Sequence, residues 1–353
     1  MKKLSEDRKT YCCYLPRVAT STADAIYDAK WKITKSRRMH ELLNEMHECR
    51  IGHFALEIYS YLQTIHLCYT AVGATANIIA GMLYAIFPDA EIREIEDFTS
   101  NISDKDLIAT TEVKLGNPDI FPTNTYKDTY CDPLEPPVNA ISQIPSNLKV
   151  IVQFATQNRL DTTPFHFWLW LQRNIDRIRH IFRAKYWFKK GVRDLLVEKM
   201  LEKTTGKMYL LNFRIAVIDP ANDNDEAFKA SKEELASYVD QIFSGFTVLN
   251  HPDVNWFERG PIRFGLRYFK DIQVRALRNP FIVSTKELSS LWHLPNIGGL
   301  PNIAMVLSKR YGPPRDLPVD KEDAEISFFA ETIYREQHIP FGIYDEDRRR
   351  HMY

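Results

Sequence analysis

The sequence predicts a mixed α+β or α/β fold, with two ferredoxin-like α/β units linked by a basic helical segment. Strand-like apolar runs alternate with helical runs over residues 53–158, and the alternation returns over residues 206–300. Between these regions, residues 159–205 are charged, aromatic and helical in pattern. A chain of 353 residues, of which 44% are hydrophobic, is long enough to form the cores of two domains.

Residues 1–52 are polar and predict a helical amino-terminal segment, with an amphipathic stretch around Ser36–Glu48. The first α/β unit then reads as a hairpin, a helix, two strands, a short helix and a final strand. The corresponding sequences are FALEIYSYLQTIHLCYTA, ATANIIAGMLYAIF, AEIREIEDF, LIATTEVKLG, DPLEPPVNAISQI and LKVIVQFAT. In the short helix we expect Asp132 as the N-cap and Pro133 at the first helical position.

One uncharged stretch, Ile58–Phe87, has the length of a membrane-spanning helix. Its first half is rich in aromatic and β-branched residues, and its second half is helical in pattern up to Pro88. A strand followed by a buried helix is therefore the favoured interpretation. The chain starts with charged residues and no apolar signal segment, and its five cysteines are scattered without a C-x-x-C pair. These features predict reduced thiols and a cytoplasmic location, either free in the cytoplasm or at the cytoplasmic face of a membrane.

The most distinctive local feature is a basic and aromatic run at residues 171–193. The candidate contacts for nucleic acid or an anionic membrane surface are Arg173, Arg177, Arg179, Arg183, Lys185, Lys189, Lys190 and Arg193, and the candidate stacking residues are Trp168, Tyr186 and Trp187. A helix of this composition either grips phosphates while its aromatic residues stack, or packs those residues on a sheet and exposes its arginines. The sequence leaves these alternatives open.

The second unit, residues 206–300, begins with the strand KMYLLNFRIAVID and continues into a helix that starts at SKEEL. Ser231 with Glu234, and Ser284 with Glu287, have the spacing of capping boxes, so each pair predicts a helix start. The stretch from Trp256 to Arg278 is weakly strand-like. Residues 301–353 are expected to form a partly extended connector.

Searches for catalytic motifs give no complete site. The nearest match to a phosphate-binding loop, TTGKM at 204–208, lacks the required earlier glycine and has Met208 where a hydroxyl residue binds magnesium. His40 and His47 share a helical face, which is a weak metal signal, and a solvated face is the preferred interpretation. The carboxylates around one strand are likewise interpreted as solvated; they are Asp89, Glu91, Glu94, Glu96 and Asp97. We therefore expect no catalytic residue, metal or cofactor in this chain.

Six blocks together resemble the type IV secretion-like DNA-binding ATPases, conjugation-type proteins of the HerA–FtsK superfamily of hexameric DNA pumps. The blocks are FPDAEIREIEDFT (87–99), LKVIVQFATQ (148–157), NFRIAVI (212–218), STKELSSLWHLPN (284–296), PPRDLP (313–318) and IPFGIYDEDRRRHMY (339–353). In the family, the last block leads into a strand and a G-x-T-G-x-G-K-S/T loop, which this sequence does not contain. The aromatic and basic middle helix also departs from the family pattern.

The resemblance implies a non-catalytic assembly and positioning domain for a ring-forming DNA-translocating ATPase, truncated before the phosphate-binding loop. It implies ATP and magnesium only for the motor domain, and it implies a homo-oligomeric ring, DNA and a membrane-embedded secretion machinery as partners, without a small-molecule substrate. The residues nearest to the motor would be Asp347, Arg348, Arg349, Arg350 and His351. Two alternatives remain, namely a nucleic-acid-binding or replication protein of a mobile element, and an enzyme of an unrecognised type.

Overall fold

The computed structural model describes residues 7–16, 24–159, 190–220, 230–295, 300, 302–306, 314, 317–320, 325–334 and 337–351. The strands in these ranges are β1 (Arg8–Pro16), β2 (Phe54–Tyr61), β3 (Thr64–Val72), β4 (Glu91–Ile95), β5 (Leu107–Leu115), β6 (Lys149–Arg159), β7 (Met208–Asp219), β8 (Phe257–Arg259), β9 (Arg263–Phe264), β10 (Phe281–Ser284), β11 (Met305–Val306), β12 (Ile326–Tyr334) and β13 (Gln337–Tyr344). The helices are α1 (Asp24–Glu48), α2 (Gly73–Ile86), α3 (Glu135–Ser142), α4 (Lys190–Thr205), α5 (Lys232–Phe246), α6 (Leu266–Gln273), α7 (Thr285–Leu291) and α8 (Asp345–His351).

Eleven of these strands form one sheet in the order β11-β1-β3-β2-β6-β7-β5-β8, with β4 beside β1, β10 beside β7 and β9 beside β5. Neighbouring strands are antiparallel except for the parallel pair β1–β11. A largely antiparallel sheet with helices packed on it is an α+β architecture. The predicted α+β class is therefore confirmed.

The strands predicted for two separate ferredoxin-like units lie in this single sheet. The closing strand of the first predicted unit, β6, pairs with the opening strand of the second, β7, from Lys149↔Ile218 to Arg159↔Met208. The pairing has a physical reason, since both strands are buried along most of their length and each covers the other's backbone groups. β5 then pairs with the other side of β7, so the two segments interleave.

The amino-terminal segment differs from the prediction of a purely helical region. Arg8–Pro16 is strand β1, which lies between β3 on one side and β4 and β11 on the other. Consecutive residues Thr10 to Cys13 are buried, because helices cover one face of the sheet here and side chains cover the other. A short run that is buried on both faces has no polar–apolar alternation, which explains why the sequence pattern did not indicate a strand.

The hairpin predicted from residues 54–71 is confirmed as β2 and β3. Its two turn residues, Leu62 and Gln63, have φ angles of 50° and 60°. Left-handed conformations at both central positions match the twist of the two strands, as in type I′ hairpins. The second half of the uncharged stretch Ile58–Phe87 forms α2. Within the described residues, no helix is long and apolar enough to cross a membrane.

Two further elements differ in detail from their predictions. The short helix α3 starts at Glu135, later than the expected start at Pro133, while Asp132 accepts a bond from the Leu134 amide at 2.9 Å. Pro136 therefore sits in the first helical turn, where the missing amide hydrogen costs nothing. The stretch predicted as weakly strand-like contains the short strands β8 and β9 and also helix α6.

Among the residues that the structure describes, the sheet has a thickly covered face and a thinly covered face. Helices α1, α2, α3, α5 and α7 contribute to the large apolar cluster on the first face. The second face carries a smaller cluster whose buried members are Cys12, Cys68, Phe98, Ile102, Ile108, Ile151, Ala216, Ile218, Phe269 and Ile272, of which the last two belong to α6. Polar side chains are concentrated on this second face, as described below.

The carboxy-terminal residues form a separate two-stranded sheet, β12 with β13, rather than an extended connector. The register of this hairpin shifts once between Phe328 and Ala330, and α8 follows β13 directly. Phe329 is 69% exposed and its ring lies 5.5 Å from the Phe341 ring.

Candidate functional site

A small, solvent-open cleft of about 70 Å³ lies at the carboxy-terminal end of α4. It is formed by that helix end, the loop before α3 and the first turn of α7. Its lining residues are Pro122, Thr123, Thr125, Lys127, Asp128, Lys199, Glu202, Lys203, Ser284, Lys286 and Glu287. Four of them are lysines and three are carboxylates, so the lining has an excess of positive charge.

The floor of the cleft is an ion pair between Lys203 and Glu287, whose side chains are each only 1% exposed. Lys203 Nζ donates to Glu287 Oε1 at 3.1 Å and lies 3.0 Å from Oε2. The Thr123 amide also donates to Oε1, at 2.8 Å. These bonds satisfy both oxygens of a carboxylate that would otherwise be costly to bury.

The predicted capping box positions this carboxylate. Ser284 accepts a bond from the Glu287 amide at 3.2 Å, and Glu287 Oε2 accepts one from the Ser284 amide at 2.7 Å. The prediction of a capped helix at Ser284 is thus confirmed, as is the equivalent box of Ser231 and Glu234 in α5. The cap fixes the direction of the Glu287 side chain, and the fixed carboxylate in turn holds the ammonium group of Lys203.

The rim of the cleft carries exposed or half-exposed lysines. Lys199 lies 3.6 Å from Asp128, and Lys286 forms an ion pair with Glu202. The pKa of Glu202 is lowered, mainly by its hydrogen bond from Lys286. Burial opposes ionisation of Asp128, but bonds from Thr125 and the charge of Lys199 outweigh it and lower the pKa. Exposed ion pairs of this kind are weak, so the rim lysines can exchange their carboxylate partners for another anion.

The chemistry of this cleft suits an anionic group with several oxygen atoms. Lysine ammonium groups, here those of Lys127, Lys199 and Lys286, are donors that bind phosphate oxygens as point contacts. None of the cleft lysines belongs to the candidates chosen from the sequence. Their lining role was missed because they come from three distant segments, at residues 127, 199–203 and 286.

Most of the predicted basic and stacking residues lie outside the described residues. These are Arg173, Arg177, Arg179, Arg183, Lys185 and Lys189, together with Trp168, Tyr186 and Trp187. Lys190 and Arg193 lie in the described part of α4, the same helix whose last turns carry Lys199 and Lys203. The basic run therefore leads along the chain into the helix that ends at the cleft.

The predicted motor-proximal residues, Asp347, Arg348, Arg349, Arg350 and His351, form most of α8. Arg348 donates to Ser327 Oγ at 3.2 Å, which ties the helix to β12. Arg350 pairs with Glu346 one turn earlier, and both side chains are exposed. The arginines of α8 thus lie at the surface beside the hairpin.

His40 and His47, considered as a metal pair, make separate contacts. His47 Nε2 lies 3.1 Å from the Arg159 carbonyl oxygen, and His40 Nε2 lies 3.1 Å from Asn44 Nδ2. Both are half-buried, which differs from the predicted solvated face. In the part of the chain that the structure describes, no group of three or more histidine, cysteine or acidic side chains is arranged to hold a metal ion.

A second polar cluster occupies the thinly covered face of the sheet, and the sequence did not indicate it. Arg275, which is 1% exposed, pairs with Glu57 at 3.1 Å and holds Asp97 through both of its terminal nitrogens. Asp97 therefore differs from the predicted solvated carboxylates. Burial opposes the charge of Arg275, but Glu57 and Asp97 outweigh it and raise its pKa.

The same cluster continues across the sheet as one register row. Glu57, Gln153, Arg214 and Glu112 lie opposite one another on β2, β6, β7 and β5. Gln153 donates to Glu57 at 2.7 Å and accepts from Arg214 at 3.3 Å. The polar side chains of the row pair with one another across the sheet, so the row links four strands. Because Glu57 also pairs with Arg275, the row holds the loop that carries Arg275.

No protein-family model matches this chain, and no curated protein matches it.

Proposed function

We propose that this chain is the non-catalytic amino-terminal assembly and positioning domain of a type IV secretion-like DNA-translocating ATPase, which acts in conjugative DNA transfer. The resemblance of the six sequence blocks supports the family assignment. The lysine-lined cleft supports contact with DNA. In this proposal, ATP and magnesium are bound by the motor domain and not by this chain.

The observation that carries the proposal is the position of the cleft on α4. The described part of the helix includes Lys190 and Arg193, which end the basic run, and it brings Lys199 to the rim of the cleft and Lys203 to its floor. Backbone phosphates of DNA attract rim lysines such as Lys199 without regard to base sequence, and neutralised phosphates release counterions. A pump needs this type of contact, because it must hold any sequence that passes.

The carboxy-terminal hairpin supports a connecting role. β12 and β13 pair only with each other among the described strands, and the charged helix α8 follows them. In the family that the chain resembles, the equivalent block leads to the motor. A small sheet outside the main sheet is suited to transmit the position of one domain to the next.

A nucleic-acid-binding or replication protein of a mobile element is the second candidate, since the cleft supports DNA contact in that case as well. The two candidates differ in how copies associate. A ring subunit forms defined oligomers on DNA, whereas independent binding proteins occupy DNA as single copies. Mass photometry on a DNA duplex of fixed length distinguishes them, with discrete multi-subunit species expected for the assembly domain.

The direct test is to follow DNA binding and phosphate release in one sample of the purified chain with magnesium and ATP. We expect labelled DNA to bind at low salt while no phosphate is released, because no phosphate-binding loop is present in the sequence. Magnesium-dependent turnover that is abolished by a point substitution in this chain would overturn the proposal. Failure to bind DNA at low salt would overturn its DNA-contacting part.

A further inference from the structure

Two cysteines face each other on neighbouring strands of the thinly covered face. Cys12 on β1 and Cys68 on β3 are paired directly in the antiparallel register, and both are fully buried. Directly opposite residues in such strands have Cα atoms about 4.5–5.5 Å apart. That separation lies within the range of about 4.4–6.8 Å in which disulfides form. Both cysteines are free thiols in the structure.

The sulfur of Cys12 lies among polar side chains that form hydrogen bonds with it. His66 Nδ1 lies 3.5 Å from Cys12 Sγ, and the thiol of Cys68 and the hydroxyl of Tyr14 also reach it. The Cys68 bond is the largest influence, burial opposes it, and the combined bonds lower the pKa of Cys12 to about 6. The thiolate is the nucleophilic form of cysteine, so this sulfur is chemically activated at neutral pH.

The pKa of the partner thiol, Cys68, is shifted in the opposite direction. Burial raises the pKa of Cys68 well above its usual value, and the neighbouring Cys12 raises it further. Cys68 is therefore the less readily ionised thiol of the pair. Two cysteines that lie directly opposite one another, one of them the more readily ionised, are suited to act as an attacking and a resolving cysteine.

The charged and titratable groups around the pair come from four strands. They are Tyr14 on β1, Glu57 and Tyr59 on β2, His66 on β3 and Arg93 on β4, whose guanidinium lies 5.0 Å from the centre of the Tyr14 ring. Tyr14, His66 and Tyr59 are half-buried and form the row next to the cysteines.

We propose that Cys12 and Cys68 are a peroxide-responsive dithiol that closes into a reversible disulfide between β1 and β3. The Cys12 thiolate attacks one oxygen of hydrogen peroxide, so a sulfur–oxygen bond forms, the oxygen–oxygen bond breaks, and the leaving hydroxide takes a proton to become water. Cys68 then attacks the oxidised sulfur. The disulfide forms, the sulfur–oxygen bond breaks, and the second hydroxide leaves as water with the Cys68 proton. Two thiols are oxidised and one peroxide is reduced.

The test treats the purified, reduced chain with hydrogen peroxide at pH 7, blocks free thiols with an alkylating reagent and maps peptides by mass spectrometry. We expect a Cys12–Cys68 linked peptide that disappears on reduction with dithiothreitol. Cys68→Ser should instead leave a sulfenic acid on Cys12, which a dione reagent traps. Cys49→Ser is the matched control, because that thiol is exposed on the surface and its removal should leave the linked peptide unchanged.

The folded protein offers an internal control in Cys13. It follows Cys12 in sequence but lies in the apolar cluster on the opposite face, where burial raises its pKa well above the usual value. In His66→Gln, the pH midpoint of Cys12 alkylation should rise from about 6 toward that of an ordinary thiol. Oxidation of Cys49 while Cys12 and Cys68 stay reduced would overturn the proposal. So would equal alkylation rates for Cys12 and Cys13.

Discussion

At the scale of single residues, the floor of the cleft makes a quantitative prediction. Lys203→Met removes the ammonium partner of Glu287 and leaves a carboxylate that is 1% exposed without its counter-charge. Breaking a buried ion pair on one side costs about 3–5 kcal/mol of unfolding free energy. Urea denaturation of the purified variant measures this loss.

The matched control for that variant is Lys199→Met on the cleft rim. Its side chain is 28% exposed and lies 3.6 Å from Asp128, so we expect a loss below about 1 kcal/mol. Equal losses for Lys203→Met and Lys199→Met would show that burial of the Lys203–Glu287 pair does not stabilise the fold.

His40 gives a pH-dependent prediction at the same scale. Burial, assisted by nearby Lys286 and Lys127, lowers the pKa of His40 to about 4, whereas an unfolded chain has the usual value near 6.5. The folded state therefore prefers neutral His40. Its contribution is complete above pH 6.5 and is lost as the pH falls toward 4.

The measurement is the urea midpoint at pH 7 and at pH 5, for the unmodified protein and for His40→Gln. We expect the unmodified protein to lose stability on acidification and the variant to lose less, because glutamine does not titrate. An identical pH response in both proteins would contradict the assigned role of His40.

How far single residues could be predicted depends on the distance between partners along the chain. Glu287 was identified because its capping partner is three residues away. Lys203 is 84 residues from Glu287, and Arg275 is 218 residues from Glu57, so no local pattern connects them. Buried charges whose partners are distant in sequence become visible only when the strands are paired.

At the scale of elements, the two capping boxes predict matched losses. Ser231→Ala and Ser284→Ala each remove a side-chain acceptor from a helix start, which costs about 1 kcal/mol. Ser284→Ala should cost more than Ser231→Ala, because the same cap orients the carboxylate that holds Lys203. Thermal and urea unfolding of both variants check the order, and the reverse order would contradict the link between cap and cleft.

Trp292, which directly follows α7, anchors this element in the core. Its side chain is fully buried, and its Nε1 donates to the Glu57 carbonyl oxygen at 3.1 Å. Trp292→Ala removes a large buried ring and should cost about 3–5 kcal/mol of unfolding free energy, measured by urea denaturation. A loss below that of Ser284→Ala would mean that the surrounding core collapses into the vacated space.

Elements with strong local signals were predictable, and elements defined by their surroundings were not. The β2–β3 hairpin, α2, α5 and the cap of α7 follow from periodicity and capping chemistry. β1 was missed because its burial comes from both sides of the sheet. α6 was missed because eight residues between short strands give too short a pattern.

At the scale of the whole molecule, the α+β class was predictable but the strand order was not. β5 lies outside β7 although it precedes β6 in the chain, and β1 pairs with strands from three separate segments. Such pairings are fixed by which strand edges meet in the folded core, and a single sequence does not encode them locally. The consequence is one sheet in place of two units.

The strands that meet in this sheet also bring together the residues of both proposed sites. The cleft draws on the loop before α3, the end of α4 and the start of α7. The dithiol draws on β1 and β3. Neither site could be predicted from the sequence without the order of the strands. The resemblance of the six sequence blocks to the ATPase family, by contrast, rests on the sequence alone.

The measurement that tests the proposed DNA contact most directly is the salt dependence of DNA binding. It compares the unmodified chain with a cleft variant, Lys127→Gln, Lys199→Gln and Lys286→Gln, and with a control variant that removes equal charge from exposed lysines elsewhere, Lys105→Gln, Lys114→Gln and Lys232→Gln. Each duplex phosphate contact contributes a slope of about −0.9 to the dependence of log affinity on log salt. We predict that the cleft variant flattens the slope by roughly 2 to 3 units, while the control variant leaves it unchanged. Equal slopes in the unmodified chain and the cleft variant would contradict DNA binding at the cleft.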